Sequence, residues 1–114
     1  MNFNRVILYY NFVPIADPEA VKLWQKTLCE SLHIKGRILI SSQGINGTLG
    51  GHMDDIKKYI KNTREYPGFK KIDFKWSQGT GNDFPKLKIQ VKDELVAFGY
   101  QDEIKVDENG VVGG

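Results

Sequence analysis

The sequence predicts an α+β domain of the ferredoxin-like type, in which an antiparallel sheet carries both helices on one face. The chain has 114 residues, of which 40% are apolar and 11% aromatic, enough for one compact domain with its own core. Apolar residues recur with helical spacing in some segments and alternate in others. The resulting order is strand, helix, strand, strand, helix, strand, followed by a predicted hairpin strand.

The first strand is predicted over residues 5–12, where β-branched and aromatic residues follow one another almost without interruption. Such a run is typical of a strand covered on both faces, so we expect it inside the sheet. The first helix should begin after Asp17, because Asp is a preferred N-cap and Pro18 suits the first helical position. Gly36 is its expected end. The predicted inner stripe is Val21, Trp24, Leu28 and Leu32, and the predicted outer face is Lys22, Gln25, Lys26 and Glu30.

The segment from Gly36 to Gly51 contains two alternating apolar runs that meet at a glycine-rich turn. Glycine reaches positive φ at little steric cost, so such a turn can bring backbone N–H groups close to a ligand. The simpler interpretation is a tight connection between strands, and Asn46–Gly47 is a common hairpin-turn sequence. Both interpretations stay open at this point.

A second helix is predicted from Met53 to Glu65. Its inner face should consist of Ile56, Tyr59, Ile60 and Thr63. Alternation then predicts strands over 72–76 and 87–91, with a polar loop over 77–83 between them and a final strand over 95–98. The domain is expected to span residues 1–99, and the polar residues 100–114 are expected to be a linker toward a further domain.

Side chains suited to catalysis or metal binding are sparse. Cys29, the single cysteine, falls within the first helix beside an inward position, which favours a structural thiol. The lack of a possible internal disulfide fits a reducing cytoplasm. His33 and His52 fall in different elements and are expected to be loop or capping residues, so neither a metal site nor a cofactor is predicted. No apolar run approaches the roughly 20 residues of a membrane span.

The basic residues are the group that suggests binding, although the net charge of +2 is too small to indicate nucleic acid by itself. Lys86, Lys88 and Lys92 share one face of a predicted strand because side chains alternate with period two. Lys75 alternates likewise on the preceding strand. If these strands adjoin, their lysines form a positive stripe near Arg37 that can follow a phosphate backbone. The alternative is that lysines protect solvent-facing strands from aggregation.

Several segments together resemble one known family. They are residues 6–10, 28–30, 35–40, 43–48 and 84–88. These segments resemble the N-terminal, acylphosphatase-like domain of the rhodanese-containing tRNA wobble-uridine hydroxylase family. The resemblance covers nearly the whole chain, and its most specific part is the pairing of 36–40 with 44–48.

The resemblance implies an acylphosphatase-like fold, in agreement with the ferredoxin-like order. It also implies a full-length enzyme whose catalytic cysteine lies in a C-terminal rhodanese domain, so no catalytic residue is expected in this chain. The full-length protein is expected in the cytoplasm, as the single cysteine indicates. Bacterial members hydroxylate the wobble uridine of certain tRNAs with molecular oxygen, whereas others are described only as sulfurtransferase-like. The implied partners of this chain are tRNA and the rhodanese domain, with no membrane involved.

We therefore expect a non-catalytic domain that helps bind tRNA. Arg37, Lys75, Lys86, Lys88 and Lys92 would contact phosphates, and Ser42, Asn46 and Thr48 would bond phosphate or ribose or pack against the partner domain. Unpaired bases are usually held by stacking on aromatic rings, for which Tyr10, Trp76 and Phe84 are candidates if exposed. Trp76 is expected in the core.

Two alternatives remain. The chain could be a purely structural module of a rhodanese-type sulfurtransferase, in which the glycine turn and the apolar strand ends form an interdomain interface. More remotely, it could be an acylphosphatase-like hydrolase. That chemistry needs glycine and arginine in a phosphate loop after the first strand, and residues 11–14 contain neither.

Overall fold

The computed structural model describes residues 2–93. Its elements are β1 (Asn4–Phe12), α1 (Pro18–Ser31), β2 (Lys35–Ser41), β3 (Gly44–His52), α2 (Met53–Thr63), β4 (Lys75–Gln78) and β5 (Leu87–Val91). This order confirms the predicted α+β fold class. The strand predicted over 95–98 and the linker predicted over 100–114 lie outside the described residues.

The strands form one five-stranded sheet in the order β4-β1-β3-β2-β5. The pairs β1–β3, β1–β4 and β2–β3 are antiparallel, as the sequence predicts. The fifth strand differs, because β5 lies parallel to β2, with Ile38 opposite Ile89. β1 lies between β3 and β4, so its predicted position inside the sheet is confirmed.

Both helices pack on the same face of the sheet, and the core lies between the two layers. On β1, Ile7 and Tyr9 point to the helices and are at most 2% exposed. The same buried cluster includes Ile38, Ile40, Ile45 and Leu49 from the neighbouring strands and Val21, Cys29, Ile56 and Tyr59 from the helices. Period-two alternation in the strands therefore separates a helix-facing side from an opposite side.

The first helix begins as the sequence predicts but buries a different stripe. Asp17 is the N-cap, and its carboxylate accepts a hydrogen bond from the Ala20 N–H at 3.1 Å. Val21 is buried as expected, whereas the other predicted inner residues are only partly buried. Gln25 was predicted to face water, and this is wrong: its side chain is fully buried, one turn before Cys29.

A hydrogen-bonded network explains how a polar residue occupies this core position. The Tyr59 hydroxyl donates to Gln25 Oε1 at 2.6 Å and lies 2.6 Å from the Tyr9 hydroxyl. Gln25 Nε2 donates to Thr63 Oγ1 at 3.3 Å. The buried polar groups thus satisfy one another, which removes most of the cost of burying them. We call Tyr9, Gln25, Tyr59 and Thr63 the tyrosine network.

The end of α1 also differs from the prediction. The helix ends at Ser31, and His33 takes the left-handed position with φ of 57°. Gly36 instead lies within β2 at φ of 141°, where an added Cβ would be 2.2 Å from the Thr48 carbonyl oxygen. Glycine is needed there because the backbone of β3 approaches too closely for any side chain.

The glycine-rich segment forms paired strands and not a ligand-binding loop. β3 is paired with β1 on one side and with β2 on the other, so ladder hydrogen bonds use its backbone groups. The turn between β2 and β3 consists of Ser42 and Gln43, and the hairpin-turn interpretation of Asn46–Gly47 is wrong. Gly47 lies within β3 and close to the Tyr9 ring. Glycine fits at this position because an added Cβ would be 2.7 Å from that ring.

The second helix confirms its predicted inner face, since Ile56, Tyr59, Ile60 and Thr63 are all buried. It ends at Thr63 and not at Glu65. The next strand, β4, begins at Lys75 and therefore later than predicted. Ile72 and Phe74 are buried in the segment that precedes it. Trp76, expected in the core, is 44% exposed because β4 is an edge strand with one neighbour.

Candidate functional site

The face of the sheet that points away from the helices, here called the open face, is the candidate surface. Alternation places Leu8, Tyr10 and Phe12 of β1 on it, and these side chains are 48%, 43% and 58% exposed. The prediction that β1 is covered on both faces is therefore wrong for residues 2–93, because the helices there cover one face only. Leu39 and Ser41 of β2 also lie on this face but are buried, at 2% and 0% exposure.

The strand register fixes which side chains are neighbours on the open face. Lys75, Leu8 and Thr48 lie opposite one another on β4, β1 and β3. The row continues through Arg37 on β2 to Lys88 on β5. Neighbouring strands are about 4.8 Å apart, so the row is about 19 Å wide. Four of the residues selected from the sequence thus share one row, with Lys75 at the far edge.

Basic side chains form two adjacent columns at the β5 edge of the open face. Backbone bonds from Gly36 N to the Lys86 oxygen (3.1 Å) and from Lys92 N to the Ile40 oxygen (2.7 Å) extend the β2–β5 pairing to both flanking lysines. The lysines of this strand are therefore neighbours of Arg37. The expected stripe is wrong for Lys75, because β4 and β5 are opposite edges of the sheet and do not adjoin. The columns consist of Lys35, Arg37, Lys86, Lys88 and Lys92, and we call them the basic edge.

Lys35 is a member of the basic edge that the sequence reasoning missed. Gly36 is the end of the first helix expected from sequence, whereas β2 already begins at Lys35. Its spacing of two residues from Arg37 was the available signal, because residues i and i+2 of a strand share a face.

Acidic residues are missing from the strand positions of the open face, within the part of the chain that the structure describes. Asp73 precedes β4, and its carboxylate lies 3.6 Å from Lys75 Nζ. Both side chains are exposed, so this pair is weak. Asp83 lies in the loop before β5, where its carboxylate accepts the N–H groups of Thr80 and Gly81. The open face is therefore positively charged along its β2–β5 side.

Between the basic edge and β1, the open face is lined by the small residues of β3. Gly44 and Gly50 lack side chains, and Asn46 and Thr48 present an amide and a hydroxyl between them. Phe84 covers one end, since a Cβ on Gly50 would be 3.1 Å from its ring. A shallow cavity of about 360 Å³ opens there, lined by Arg37, Thr48, Phe84, Pro85, Lys86 and Lys88. Ser42 is not part of this group, because it lies in the β2–β3 turn at the end of the sheet.

The three aromatic candidates for base stacking occupy different positions. Tyr10 lies on the open face, with its ring centroid 4.9 Å from that of Phe12 in an edge-on arrangement. Desolvation raises the pKa of Tyr10 above its ordinary value of 10.0. Trp76 lies opposite Ile7, which places it on the helix side at the edge of the sheet. Phe84 is partly buried over Gly50.

The segment after β1 does not form the phosphate loop of an acylphosphatase. The N–H of Val13 donates to the Gln43 oxygen at 3.1 Å, and the N–H of Ile15 donates to the Ser42 oxygen at 3.0 Å. These donors are therefore committed to the β2–β3 turn and do not point at a ligand. The segment also lacks glycine and arginine, so the geometry gives no support to the hydrolase alternative.

The remaining reactive side chains have structural roles. Burial raises the pKa of Cys29 from 9.0 to about 12, so its thiol stays protonated. His52 is the N-cap of α2, and its Nδ1 accepts the Asp54 N–H at 3.1 Å. Among residues 2–93, no three His, Cys, Asp or Glu side chains group so that they could hold a metal ion. Neither helix described there is long and apolar enough to cross a membrane.

Comparison with known proteins gives close relatives that are longer than this chain. "tRNA uridine(34) hydroxylase" of Corynebacterium glutamicum (strain R) is 64% identical over 114 residues, which are 100% of this chain and 36% of the relative. The protein of the same name from Arthrobacter sp. (strain FB24) is 58% identical over 114 residues, or 38% of its length. The chain thus spans little more than a third of the relatives that it matches.

Solved structures and a family model describe the fold. The dark-state structure of BlrB, a BLUF protein, superposes with a TM-score of 0.69 at 20% identity over 90% of this chain and 83% of that chain. An acylphosphatase from Coxiella burnetii gives 0.51 at 13% identity over 78% and 94%. At these identities the likeness concerns the fold alone. Residues 4–95 match the family model described as the UPF0176 acylphosphatase-like domain, and the chain therefore belongs to that family.

Proposed function

We propose that this chain is the tRNA-docking part of a longer tRNA-modifying protein. In this proposal the open face holds tRNA while the rest of the protein hydroxylates the wobble uridine. The close relatives are named tRNA uridine(34) hydroxylase, and this chain spans 36% of one of them. The chemistry is assigned to the C-terminal rhodanese domain that the family resemblance implies, reached through a linker over 100–114 in a cytoplasmic protein.

The observation that supports this proposal is the clustering of positive charge on one face. The basic edge occupies two adjacent strands, and no described strand residue of the open face is acidic. Protein cations that neutralise phosphates release condensed counterions, and this release drives binding that is independent of sequence. A surface of this kind positions a nucleic acid and leaves the choice of base to another site.

The individual residues suit different contacts. Arg37 lies at the middle of the basic edge, and a guanidinium can donate two parallel hydrogen bonds to one phosphate. The lysines of β5 act as point charges along the strand. Asn46 and Thr48 face the same surface with groups that can bond a ribose hydroxyl or a phosphate. Ser42 would make a contact at the end of the sheet, and Lys75 one at the opposite edge.

The structural alternative makes a different use of the same surface. In that case the open face packs against another domain, and RNA is handled elsewhere in the protein. The exposed apolar residues of β1 are compatible with such an interface. The two readings differ in whether the isolated chain binds tRNA through its basic edge.

Charge reversal on two opposite faces tests the proposal. The test variant Lys86→Glu/Lys88→Glu/Lys92→Glu alters the basic edge, and the control Lys57→Glu/Lys58→Glu/Lys61→Glu alters the exposed side of α2 by the same net charge. Fluorescence anisotropy would report the binding of labelled tRNA to the 114-residue chain. We expect the test variant to lose most of its affinity and the control to keep it. Equal losses would mean that only net charge matters, and no binding by the unaltered chain would favour the interdomain alternative.

A further inference from the structure

We infer that the open face binds RNA as a single strand, with unpaired bases stacked on Tyr10 and Phe12 and with phosphates over the basic edge. This binding mode rests on the proposed function and specifies the form of RNA that the surface takes. It assigns the apolar residues of β1 a role that neither the family resemblance nor the relatives' names contain.

The first observation is a column of exposed apolar side chains in the interior of the sheet. Leu8, Tyr10 and Phe12 are 48%, 43% and 58% exposed and follow one another on the same side of β1. Single exposed apolar residues are ordinary on a protein surface, whereas a contiguous group indicates a binding surface. The Tyr10 and Phe12 ring centroids lie 4.9 Å apart in an edge-on arrangement, so the two rings form one continuous aromatic surface.

The second observation is the distance and the chemistry between this column and the basic edge. β3 alone separates β1 from β2, so the apolar column and Arg37 are about 10 Å apart. The β3 residues in between are Gly44, Asn46, Thr48 and Gly50 on this face. Their small size leaves room for a ribose, and the Asn46 amide and Thr48 hydroxyl can bond its 2′-OH.

Charge decides in favour of RNA over a protein segment as the occupant. Leu8 has Lys75 on one side and, beyond Thr48, Arg37 on the other, and the described strands add no acidic residue to this face. An apolar protein segment laid over the column would desolvate these cations and bring no negative charge to them. RNA supplies the apolar ring surfaces and the negative charges together.

Unpaired RNA fits this surface better than a duplex. In an A-form helix the base faces are stacked on one another and cannot reach a protein ring. A duplex would therefore contact only the basic edge. Exposed bases of a single strand can stack on aromatic side chains while the backbone follows a positive groove.

The test compares one RNA sequence in two forms. The probes are a fluorescently labelled decamer of adenosine and uridine without internal pairing, and the same decamer annealed to its complement. The variant Tyr10→Ala/Phe12→Ala removes both rings, and Tyr10→Leu/Phe12→Leu keeps apolar surface without an aromatic face. Leu23→Ala on α1, where the native side chain is 67% exposed, is the matched control on the helix side.

We expect both ring variants to bind the single strand about tenfold or more weakly than the unaltered chain. Their affinity for the duplex should stay within about twofold, and Leu23→Ala should match the unaltered chain for both probes. Circular dichroism verifies that each variant is folded.

Unchanged single-strand binding by the ring variants would overturn the inference, and so would equal losses for both probes. The proposed function would survive either result if tRNA binding still depended on the basic edge. Binding of neither probe nor tRNA by the unaltered chain would overturn both.

Discussion

Removal of the Tyr59 hydroxyl from the tyrosine network should lower the free energy of unfolding far more than removal of the Tyr9 hydroxyl. The Tyr59 hydroxyl lies 2.6 Å from the Tyr9 hydroxyl and donates to Gln25 Oε1 at 2.6 Å. A hydroxyl has one hydrogen to donate, so Tyr9 must be the donor in the bond between the tyrosines. Tyr59 therefore makes two bonds, and Tyr9 makes one.

The two deletions leave different groups without partners. Tyr59→Phe leaves the Tyr9 hydroxyl and the Gln25 carbonyl unsatisfied at positions where both residues are at most 2% exposed. Each unsatisfied buried group costs about 1–3 kcal/mol, so we expect a loss of about 4 kcal/mol in the free energy of unfolding. Tyr9→Phe removes one bond and leaves Tyr59 still donating to Gln25, so we expect a loss of about 1 kcal/mol.

Urea unfolding at pH 7, followed by far-UV circular dichroism, would measure both losses. Tyr66→Phe is the matched control, because Tyr66 is only partly buried and packs its ring on Trp24 with centroids 5.3 Å apart. That control should change the free energy of unfolding by less than about 0.5 kcal/mol. Equal losses for Tyr59→Phe and Tyr9→Phe, or a larger loss for Tyr9→Phe, would refute the assigned direction of the bonds.

Two further predictions concern the core. Burial raises the pKa of Cys29 from 9.0 to about 12 and raises the pKa values of Tyr9 and Tyr59 above 10.0. Because the folded state holds the neutral forms, the contribution of these groups to the free energy of unfolding should be fully present below about pH 9. Above about pH 9 the free energy of unfolding should fall by about 1.4 kcal/mol per pH unit for each group that ionises in the unfolded chain. Cys29→Val should flatten the decline between pH 9 and 10 in urea unfolding, and an unchanged slope would contradict the burial effect. Gly36→Ala should lower the free energy of unfolding by about 3 kcal/mol or prevent folding, because its Cβ would lie 2.2 Å from a β3 carbonyl oxygen; a loss below about 0.5 kcal/mol would contradict the close approach.

Local signals predicted the elements of this fold well. Asp17 and Pro18 marked the start of α1, because N-cap chemistry depends only on the adjacent turn. Alternation predicted β5, and helical periodicity predicted the inner face of α2. Where neighbours in sequence decide the structure, a single sequence is sufficient.

The predictions that were wrong concern positions whose structure depends on residues distant in sequence. Gln25 is polar and was placed in water, but its partner Tyr59 lies 34 positions away on the other helix. Asn46–Gly47 has the composition of a hairpin turn, but Gly47 is needed inside β3 for contact with the Tyr9 ring. Tertiary packing overrode the local preference at these positions.

The candidate site was predicted only in part for the same reason. Alternation showed that the β5 lysines share a face, but only the parallel pairing with β2 brings them beside Arg37. The continuous apolar run of β1 does not reveal that Tyr10 and Phe12 are exposed, because a buried side chain and an apolar binding surface look alike in sequence.

The salt dependence of tRNA affinity tests the central claim, that the basic edge binds phosphates, most directly. For the unaltered chain, the logarithm of the association constant should fall linearly with the logarithm of salt concentration. Neutralisation by Lys86→Gln/Lys88→Gln/Lys92→Gln should reduce the slope by about two to three, because each phosphate contact contributes about 0.7–0.9. The matched variant Lys57→Gln/Lys58→Gln/Lys61→Gln on α2 should leave the slope unchanged. A slope that both variants reduce equally, or that neither reduces, would contradict the claim.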